Sequence, residues 1–203
     1  LRASEAMLRQ DKPERARAAE AVLDLARARE LTQDPAARQL LAQWPDLQRA
    51  YATAQAVAQA TGAPLTPERG LRERGFGDFQ GRTFQQIERE SPEQALRWRK
   101  RDPHFVPDGG GESLVTLRER IACTVDEIAA RHCGQQVVLV AHGGVMDVLY
   151  RLATRLDLQA PRTWQLTNAA INRLLWTGGN GLTLVGWADT QHLEQHSRDE
   201  IHS

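Results

Sequence analysis

The chain has 203 residues and carries 26 Lys and Arg against 26 Asp and Glu, which gives a formal net charge of +0 at pH 7. This length fits one α/β domain with a substantial core. The balanced charge excludes a general electrostatic attraction to nucleic acid or to anionic membranes, so neither is expected as a partner. No apolar run approaches the length of a membrane span, and the N-terminus has no signal-peptide core. The two cysteines predict no disulfide framework, which favours a cytoplasmic protein.

Residues 1–45 differ in character from the rest of the chain. They are rich in Ala, Arg, Glu, Gln and Leu, and apolar residues recur at helical spacing from Ala19 to Ala26. Pro13 and Pro35 fit the first turns of two helices. The composition therefore predicts an atypical helical N-terminal segment without a strand. The first residue is Leu1 rather than Met, so the natural start is not necessarily represented.

Residues 46–193 are predicted to form one domain, followed by a polar tail over 194–203. Helix and strand patterns alternate along this domain, which favours an α/β fold. The predicted order is a helix over 46–61, a glycine-rich loop over 65–81, helices over 83–90 and 92–101, a Pro/Gly surface loop over 102–111, a helix capped by Ser113, a strand over 137–141, a helix over 145–156, and a hairpin of 171–176 and 182–187. The 102–111 loop is a candidate lid.

The stretch from Val137 to Gly144 is the strongest candidate for a site. Five apolar residues without polar alternation predict a strand that is buried on both faces, as in the middle of a parallel sheet. His142 would then lie at the carboxyl end of that strand, where open α/β sheets bind their ligands. Gly143 and Gly144 would let backbone N–H groups approach an anion at the next helix. The pattern therefore indicates a phosphate-type site, or else a histidine in an ordinary strand-to-helix turn.

Two other side chains could complete a site for phosphoryl transfer. Such a site needs cationic donors around the phosphate oxygens and an acid for the leaving oxygen. Arg49, in the first turn of the 46–61 helix, could form a bidentate fork to phosphate. Glu73, flanked by Arg72 and Arg74 in the glycine-rich loop, could be the acid. Taken singly, each is more simply explained as a solvated surface residue, so the hypothesis depends on the set.

Several segments together resemble the histidine phosphatase (phosphoglycerate mutase-like) superfamily over about residues 46–193. The matching segments are Asp46-Leu47-Gln48-Arg49-Ala50 with Thr53-Ala54, Leu71 to Gly77 with Phe79-Gln80-Gly81, Gly111-Glu112-Ser113, Val138 to Gly144, Asn168, the Trp176–Trp187 hairpin, and Asp189-Thr190-Gln191-His192-Leu193. They occur in the family's order and at family-like spacing.

This resemblance implies a three-layer sandwich, with a mostly parallel central sheet and helices on both faces. It implies that Arg49 and Gly143 bind the substrate phosphate, that Glu73 is the general acid, and that His142 is the second, non-nucleophilic histidine. Ser113 and Asn168 would be peripheral, and they are equally explained as a helix cap and a turn former. No metal or cofactor is expected.

The sequence departs from the family at its N-terminus. The family has a first strand ending in Arg-His-Gly, whose histidine becomes phosphorylated, and no such motif occurs before the first histidine, His104. The first strand is therefore expected to be missing or replaced, which would expose the edge of the 137–141 strand. Three interpretations remain open. Residues 1–45 are a replaced, frameshifted or mis-assigned stretch, the protein is a pseudoenzyme, or His104 supplies the nucleophile.

The predicted function is that of a cytoplasmic, metal-independent phosphomonoesterase that acts on a small phosphorylated metabolite through a phosphohistidine. A phosphoglycerate mutase-type phosphotransferase and a non-catalytic phosphate-binding pseudoenzyme are the alternatives. The basic run of Arg97, Arg99, Lys100 and Arg101 is either a solvated helix face or a contact for an extra acidic group of the substrate. An exposed strand edge would favour self-association, so a homodimer is a candidate assembly.

Overall fold

The computed structural model describes the backbone of residues 45–194 and the side chains of residues 49–193. The predicted helices before Pro45 and the tail after Glu194 lie outside the described residues. The described chain divides into two compact units. The first contains residues 45–68, 167–172 and 188–194, and the second contains residues 69–166 and 173–187. No helix among residues 45–194 has the length and apolar character required to cross a membrane.

The main element of the first unit is helix α1, Pro45–Thr61, which confirms the helix predicted from Asp46. Pro45 occupies the first turn, where a missing N–H costs nothing. Gln55 and Ala56 form its most buried part. The helix ends at Gly62, which has a φ of +72° and donates its N–H to the carbonyl of Ala58 at 2.8 Å. This left-handed glycine is a common helix terminator because it has no Cβ to clash.

The core of the second unit lies between two helices, α4 (Leu114–Arg131) and α5 (Gly143–Thr154). Both were predicted, although α5 begins two residues earlier than expected. Apolar residues at helical spacing place one face of each helix against the other. The buried members of this core are Leu71, Leu117, Ile121, Val125, Val145, Val148 and Leu149.

A smaller cluster lies around helices α2 (Phe84–Glu90) and α3 (Pro92–Arg99). Thr83 and Gln86 form a capping box at the start of α2, which explains why the helix begins there. The cluster also buries Phe105, which is 2% exposed. The 102–111 segment, predicted as a surface loop and candidate lid, is therefore anchored in the core at Phe105.

The predicted central sheet is not observed among residues 45–194. Residues 137–141 form no strand, and Val138 is 68% exposed, although Leu139 and Ala141 pack on the α4–α5 core. The prediction of a strand buried on both faces is therefore wrong for this segment. Apolar residues favour an extended chain, but a strand also requires backbone hydrogen bonds to a neighbouring strand. No described residue forms such a strand beside residues 137–141.

The sheet that the described residues do form is the predicted hairpin. It consists of β1 (Ile171–Thr177) and β2 (Gly181–Asp189), joined by a short glycine-rich turn. Gly181 has a φ of +68°, which the turn requires and which glycine adopts without strain. The expectation of a mostly parallel sheet is thus replaced, in this part of the chain, by a two-stranded antiparallel one.

Candidate active site

Glu73 joins the glycine-rich loop to the start of helix α5. One carboxylate oxygen, Oε2, accepts the backbone N–H of Gly144 at 3.0 Å, and the other, Oε1, accepts the N–H of Arg74 at 2.8 Å. A Cβ added to Gly144 would lie 2.3 Å from Oε1, so only glycine leaves room for this contact. The structure thus brings Glu73 to the segment that contains His142.

His142 is the residue that precedes helix α5. Its backbone is extended, and its carbonyl accepts the N–H of Met146 at 2.9 Å, which begins the helix. Its ring nitrogen Nε2 is buried and has no hydrogen-bond partner within the described part of the chain. The next residue, Gly143, is exposed, and a Cβ added there would meet nothing within 4 Å. Beside the Gly144 N–H that bonds Glu73, this helix start offers an imidazole, the Gly143 backbone and open space, which is the chemistry of an anion site.

Ser113 acts as a helix cap. Its side chain is buried, and its hydroxyl oxygen accepts the N–H of Thr116 at 3.0 Å at the start of α4. The geometry matches the cap interpretation of this residue.

The neighbouring residues Glu112 and Arg120 were not predicted as site residues. Arg120 donates from Nε and Nη2 to the two carboxylate oxygens of Glu112 at 2.9 and 2.7 Å. Burial of Glu112 acts to raise its pKa, but the hydrogen bonds and charge of Arg120, the Gly75 N–H and the charge of Arg72 together outweigh that effect, so the pKa is lowered. The helical spacing of the sequence could have indicated Arg120. This residue lies three positions after Leu117 and four before Thr124, on the buried stripe of α4.

Arg74 and Arg101 line a cavity of 370 Å³ that sequence reasoning did not predict. Arg74 lies with its guanidinium 4.4 Å from the ring centre of Trp98, and it donates to the carbonyl oxygens of Glu112 and Phe105 at 2.8 and 3.4 Å. Burial lowers the pKa of Arg74 to about 10, Glu112 opposes that change, and the positive charge of Arg101 adds to it. The cavity also contacts Phe84, Arg99 and Leu114.

The predicted basic run divides between two environments. Arg101 is partly buried, donating to Asp147 Oδ2 and to the Leu158 carbonyl, each at 2.9 Å. Arg97 and Arg99 form exposed ion pairs with Asp102 and Glu88, and Lys100 is exposed. The solvated-face interpretation therefore fits Arg97 and Lys100, while Arg99 and Arg101 also reach the cavity.

Two of the predicted residues belong to the first unit. Arg49 is exposed on α1, and its carbonyl accepts the hydroxyl of Thr53 at 3.1 Å. Asn168 is exposed in the segment 167–172. The second unit contains Glu73, His142, Gly143 and Ser113, together with the exposed His104. No group of three or more His, Cys, Asp or Glu among the described side chains is arranged to hold a metal ion.

The model of the histidine phosphatase superfamily (branch 1) matches residues 16–190 of the chain. The protein belongs to this superfamily. The match confirms the resemblance inferred from the motifs, and it begins at residue 16 rather than at residue 46. A mycobacterial member of the superfamily with a solved structure, glucosyl-3-phosphoglycerate phosphatase with inorganic phosphate, aligns with a TM-score of 0.63 at 29% identity, covering 88% of this chain and 86% of that one. The fold is therefore related to that of the phosphoglycerate mutase-like histidine phosphatases.

Curated superfamily members are similar over most of this chain. Phosphoglycerate mutase-like protein 4 of Arabidopsis thaliana is 34% identical over 151 residues, covering 74% of this chain and 64% of its own length. The metal-independent phosphoserine phosphatase of the same plant is 31% identical over 149 residues, covering 73% and 60%. Glucosyl-3-phosphoglycerate phosphatase of Mycobacterium tuberculosis is 33% identical over 153 residues, covering 70% and 68%. The chain thus spans less than two thirds of the length of either Arabidopsis relative.

Proposed function

We propose that the protein is a phosphomonoesterase of the histidine phosphatase type that acts on a small phosphorylated metabolite. The observation that carries the proposal is the hydrogen bond between the Glu73 carboxylate and the Gly144 N–H, because it places a carboxyl group at the helix start that follows His142. Membership of the superfamily supports the same reaction class. In this proposal Glu73 is the general acid, and Arg49 and Gly143 bind the phosphate.

The mechanism follows from what phosphoryl transfer requires. The leaving oxygen takes a proton from Glu73 as its bond to phosphorus breaks, while the phosphoryl group passes to a histidine of the protein. Water then hydrolyses the phosphohistidine. The charge that develops on the equatorial oxygens is stabilised by His142 and by the Gly143 N–H. A phosphate oxygen bound to His142 Nε2 would also satisfy a buried polar atom that makes no hydrogen bond within the described residues.

A second candidate function is phosphate-ester binding without turnover. The observation that favours it is that none of the residues before His104 in these 203 is a histidine, so they contain no Arg-His-Gly. His104 is exposed, and its backbone N–H donates to Asp102 Oδ1 at 3.0 Å. This candidate keeps the binding roles of His142, Gly143 and Arg49 and removes the covalent step.

The substrate is proposed to carry a second anionic group besides the transferred phosphate. Arg74, the residue after Glu73, shares a 370 Å³ cavity with Arg101, and both guanidinium groups are partly buried. The carbonyl oxygens that Arg74 contacts do not neutralise its charge, whereas Arg101 is paired with Asp147 and Arg99 with Glu88, so an anion in the cavity would be attracted chiefly by Arg74. The aromatic rings of Trp98 and Phe84 supply apolar lining for the rest of the molecule.

The test combines binding and covalent chemistry on the 203-residue protein. Binding of inorganic phosphate and of vanadate is measured by calorimetry, and the protein is then incubated with ³²P-labelled phosphoserine as donor. The phosphatase proposal expects binding, turnover and an acid-labile label. Binding without label or turnover would replace it by the non-catalytic candidate. Absence of both binding and label would reject both functions.

The variant His142→Ala provides the decisive comparison for the binding arm. We expect it to weaken phosphate binding by about ten-fold or more, since it removes one charged hydrogen bond. The control is His132→Ala, because His132 is an exposed histidine at the end of α4 that bonds Gln135. Equal affinities in the two variants would contradict the role of His142. Mapping any phosphohistidine identifies the nucleophile, and reading the DNA upstream of Asp46 in all frames shows whether an Arg-His-Gly is encoded.

A further inference from the structure

Arg120 contacts the backbone of the loop that carries Glu73. Its Nη1 donates to the carbonyl oxygens of Gly70 and Arg72 at 2.7 and 3.1 Å, while Nε and Nη2 form the bidentate pair with Glu112. The side chain is 18% exposed, and that of Glu112 is 7% exposed. All the donors that these bonds use come from one planar guanidinium, so the loop carbonyls and the carboxylate are fixed relative to one another.

Glu112 contacts the other end of the same loop. Its N–H donates to the Gly75 carbonyl at 2.8 Å, and its Oε2 accepts the Gly75 N–H at 3.4 Å. Its carbonyl accepts Nε of Arg74 at 2.8 Å. Gly70 packs so closely on Thr124 that a Cβ there would lie 2.0 Å from the hydroxyl. The loop is therefore fixed on both sides of Glu73, from Gly70 to Gly75.

We propose that Arg120 is a positioning residue for Glu73, acting together with Glu112. The pair sets the backbone of the 70–75 loop, and that backbone sets where the Glu73 carboxylate meets the Gly144 N–H. The inference rests on the proposed role of Glu73 as general acid, because positioning matters to the reaction only if that carboxyl transfers the proton. Displacement of a catalytic group by about 1 Å is enough to cost a large part of the rate.

The contacts separate this role from general stabilisation of the core. Arg151 is the appropriate comparison, since it is a buried arginine at 1% exposure that also bonds a carboxylate and backbone carbonyls. Its partners are Asp147 and the carbonyls of Asp157 and Ala160, none of them in the 70–75 loop. Substitution of either arginine by lysine removes a planar guanidinium group. Only the guanidinium of Arg120 contacts the loop that carries Glu73.

The test uses nuclear magnetic resonance on the full chain labelled with ¹⁵N-glycine. Because the Gly144 N–H donates to Glu73, its chemical shift reports protonation of that carboxylate as pH falls. The variant Glu73→Gln tests whether the pH-dependent shift at Gly144 comes from Glu73, because the shift should then disappear in this variant. We expect Arg120→Lys to reduce the pH-dependent change in the Gly144 N–H chemical shift by more than half. Arg151→Lys should leave this change as large as in the wild type. A folded Arg120→Lys protein with the wild-type titration would overturn the proposal.

Two further measurements keep the outcome interpretable. If Arg120→Lys does not fold, Glu112→Gln weakens the same pair from the other side, and a folded Glu112→Gln protein with an unchanged Gly144 titration would equally overturn the proposal. Where the wild type hydrolyses phosphate esters, Arg120→Lys should lose about ten-fold more kcat on an alkyl phosphate than on p-nitrophenyl phosphate, with KM unchanged. A wild type that shows the Gly144 titration but no turnover refutes the phosphatase proposal and leaves the positioning measurement intact.

Discussion

The Glu73 carboxylate accepts the Gly144 N–H at 3.0 Å, across 71 residues of sequence. This bond attaches a glycine-rich loop to the first turn of a helix that is itself packed in the core through Val145 and Val148. A carboxyl group on a loop thereby gains the rigidity of a buried helix. Rigid support of this kind is what an acid in a catalytic site requires.

Gly144→Ala should be destabilising, whereas Gly143→Ala should not. The alanine Cβ at Gly144 would lie 2.3 Å from Glu73 Oε1 and would have to displace the carboxylate, whereas the Cβ at Gly143 would meet nothing within 4 Å. We expect a loss of about 1–2 kcal/mol in the free energy of unfolding for Gly144→Ala. Urea unfolding of both variants measures the difference. Equal midpoints would show that the close approach of Glu73 to Gly144 does not affect the free energy of unfolding.

Glu73→Gln should reduce turnover in a way that depends on the leaving group. An amide cannot donate the proton that an alkoxide needs, so we expect kcat on an alkyl phosphate to fall by about 10²–10³-fold. The loss should be small for p-nitrophenyl phosphate, whose leaving oxygen needs little protonation. Steady-state kinetics on the two esters provide the comparison, with Glu119→Gln, an exposed glutamate on α4, as control. A uniform loss on both esters would argue against an acid role.

Gly77→Ala should cost more stability than Gly81→Ala, although both glycines have positive φ. Gly81 has a φ of +73° and open space around its Cα, so alanine there should cost only the conformational strain, about 1 kcal/mol. At Gly77, with a φ of +53°, the added Cβ would lie 2.0 Å from the Asp108 carbonyl oxygen. We expect a cost of roughly 3 kcal/mol, because backbone must move. Thermal unfolding would refute this if the two variants melted together.

The Glu112–Arg120 pair should make stability fall in acid. The pKa of Glu112 is lowered from its ordinary value of 4.5 because the hydrogen bonds and charge of Arg120, the Gly75 N–H and the charge of Arg72 together outweigh the effect of burial. A depressed folded-state pKa contributes stability above the unfolded value, and this stability is lost as pH falls through the folded value. Urea midpoints of wild type and Glu112→Gln should therefore differ most at pH 7 and converge in acid. A constant difference at all pH values would contradict this.

Arg101→Gln should selectively lower kcat/KM for substrates that have a second anionic group. The variant removes one of the cations that line the cavity, together with its ion pair to Asp147, which keeps its second ion pair with Arg151. We expect kcat/KM for phosphoserine to fall by about ten-fold and that for a simple alkyl phosphate to change little. Arg97→Gln, which removes an exposed ion pair with Asp102 outside the cavity, is the control. Equal losses on both substrates would remove the case for an anion subsite.

The local elements were predictable because their signals are short-range. The helix from Pro45 to Thr61, the capping box at Thr83, the Ser113 cap and the hairpin each depend on residues within a few positions of one another. The superfamily was recognisable for the same reason, since its motifs are short segments in a fixed order, and the match over residues 16–190 confirms it.

The sequence by itself determined the helices, their caps and the candidate residues Glu73, His142 and Gly143. Tertiary structure decided what those residues contact. The bonds from Arg120 to Gly70 and from Glu73 to Gly144 span 50 and 71 residues, and no local pattern encodes such distances. The apolar run at 137–141 likewise shows that local composition does not decide tertiary contacts. Its composition favours an extended chain, but a strand exists only where a neighbour supplies the other half of each hydrogen bond.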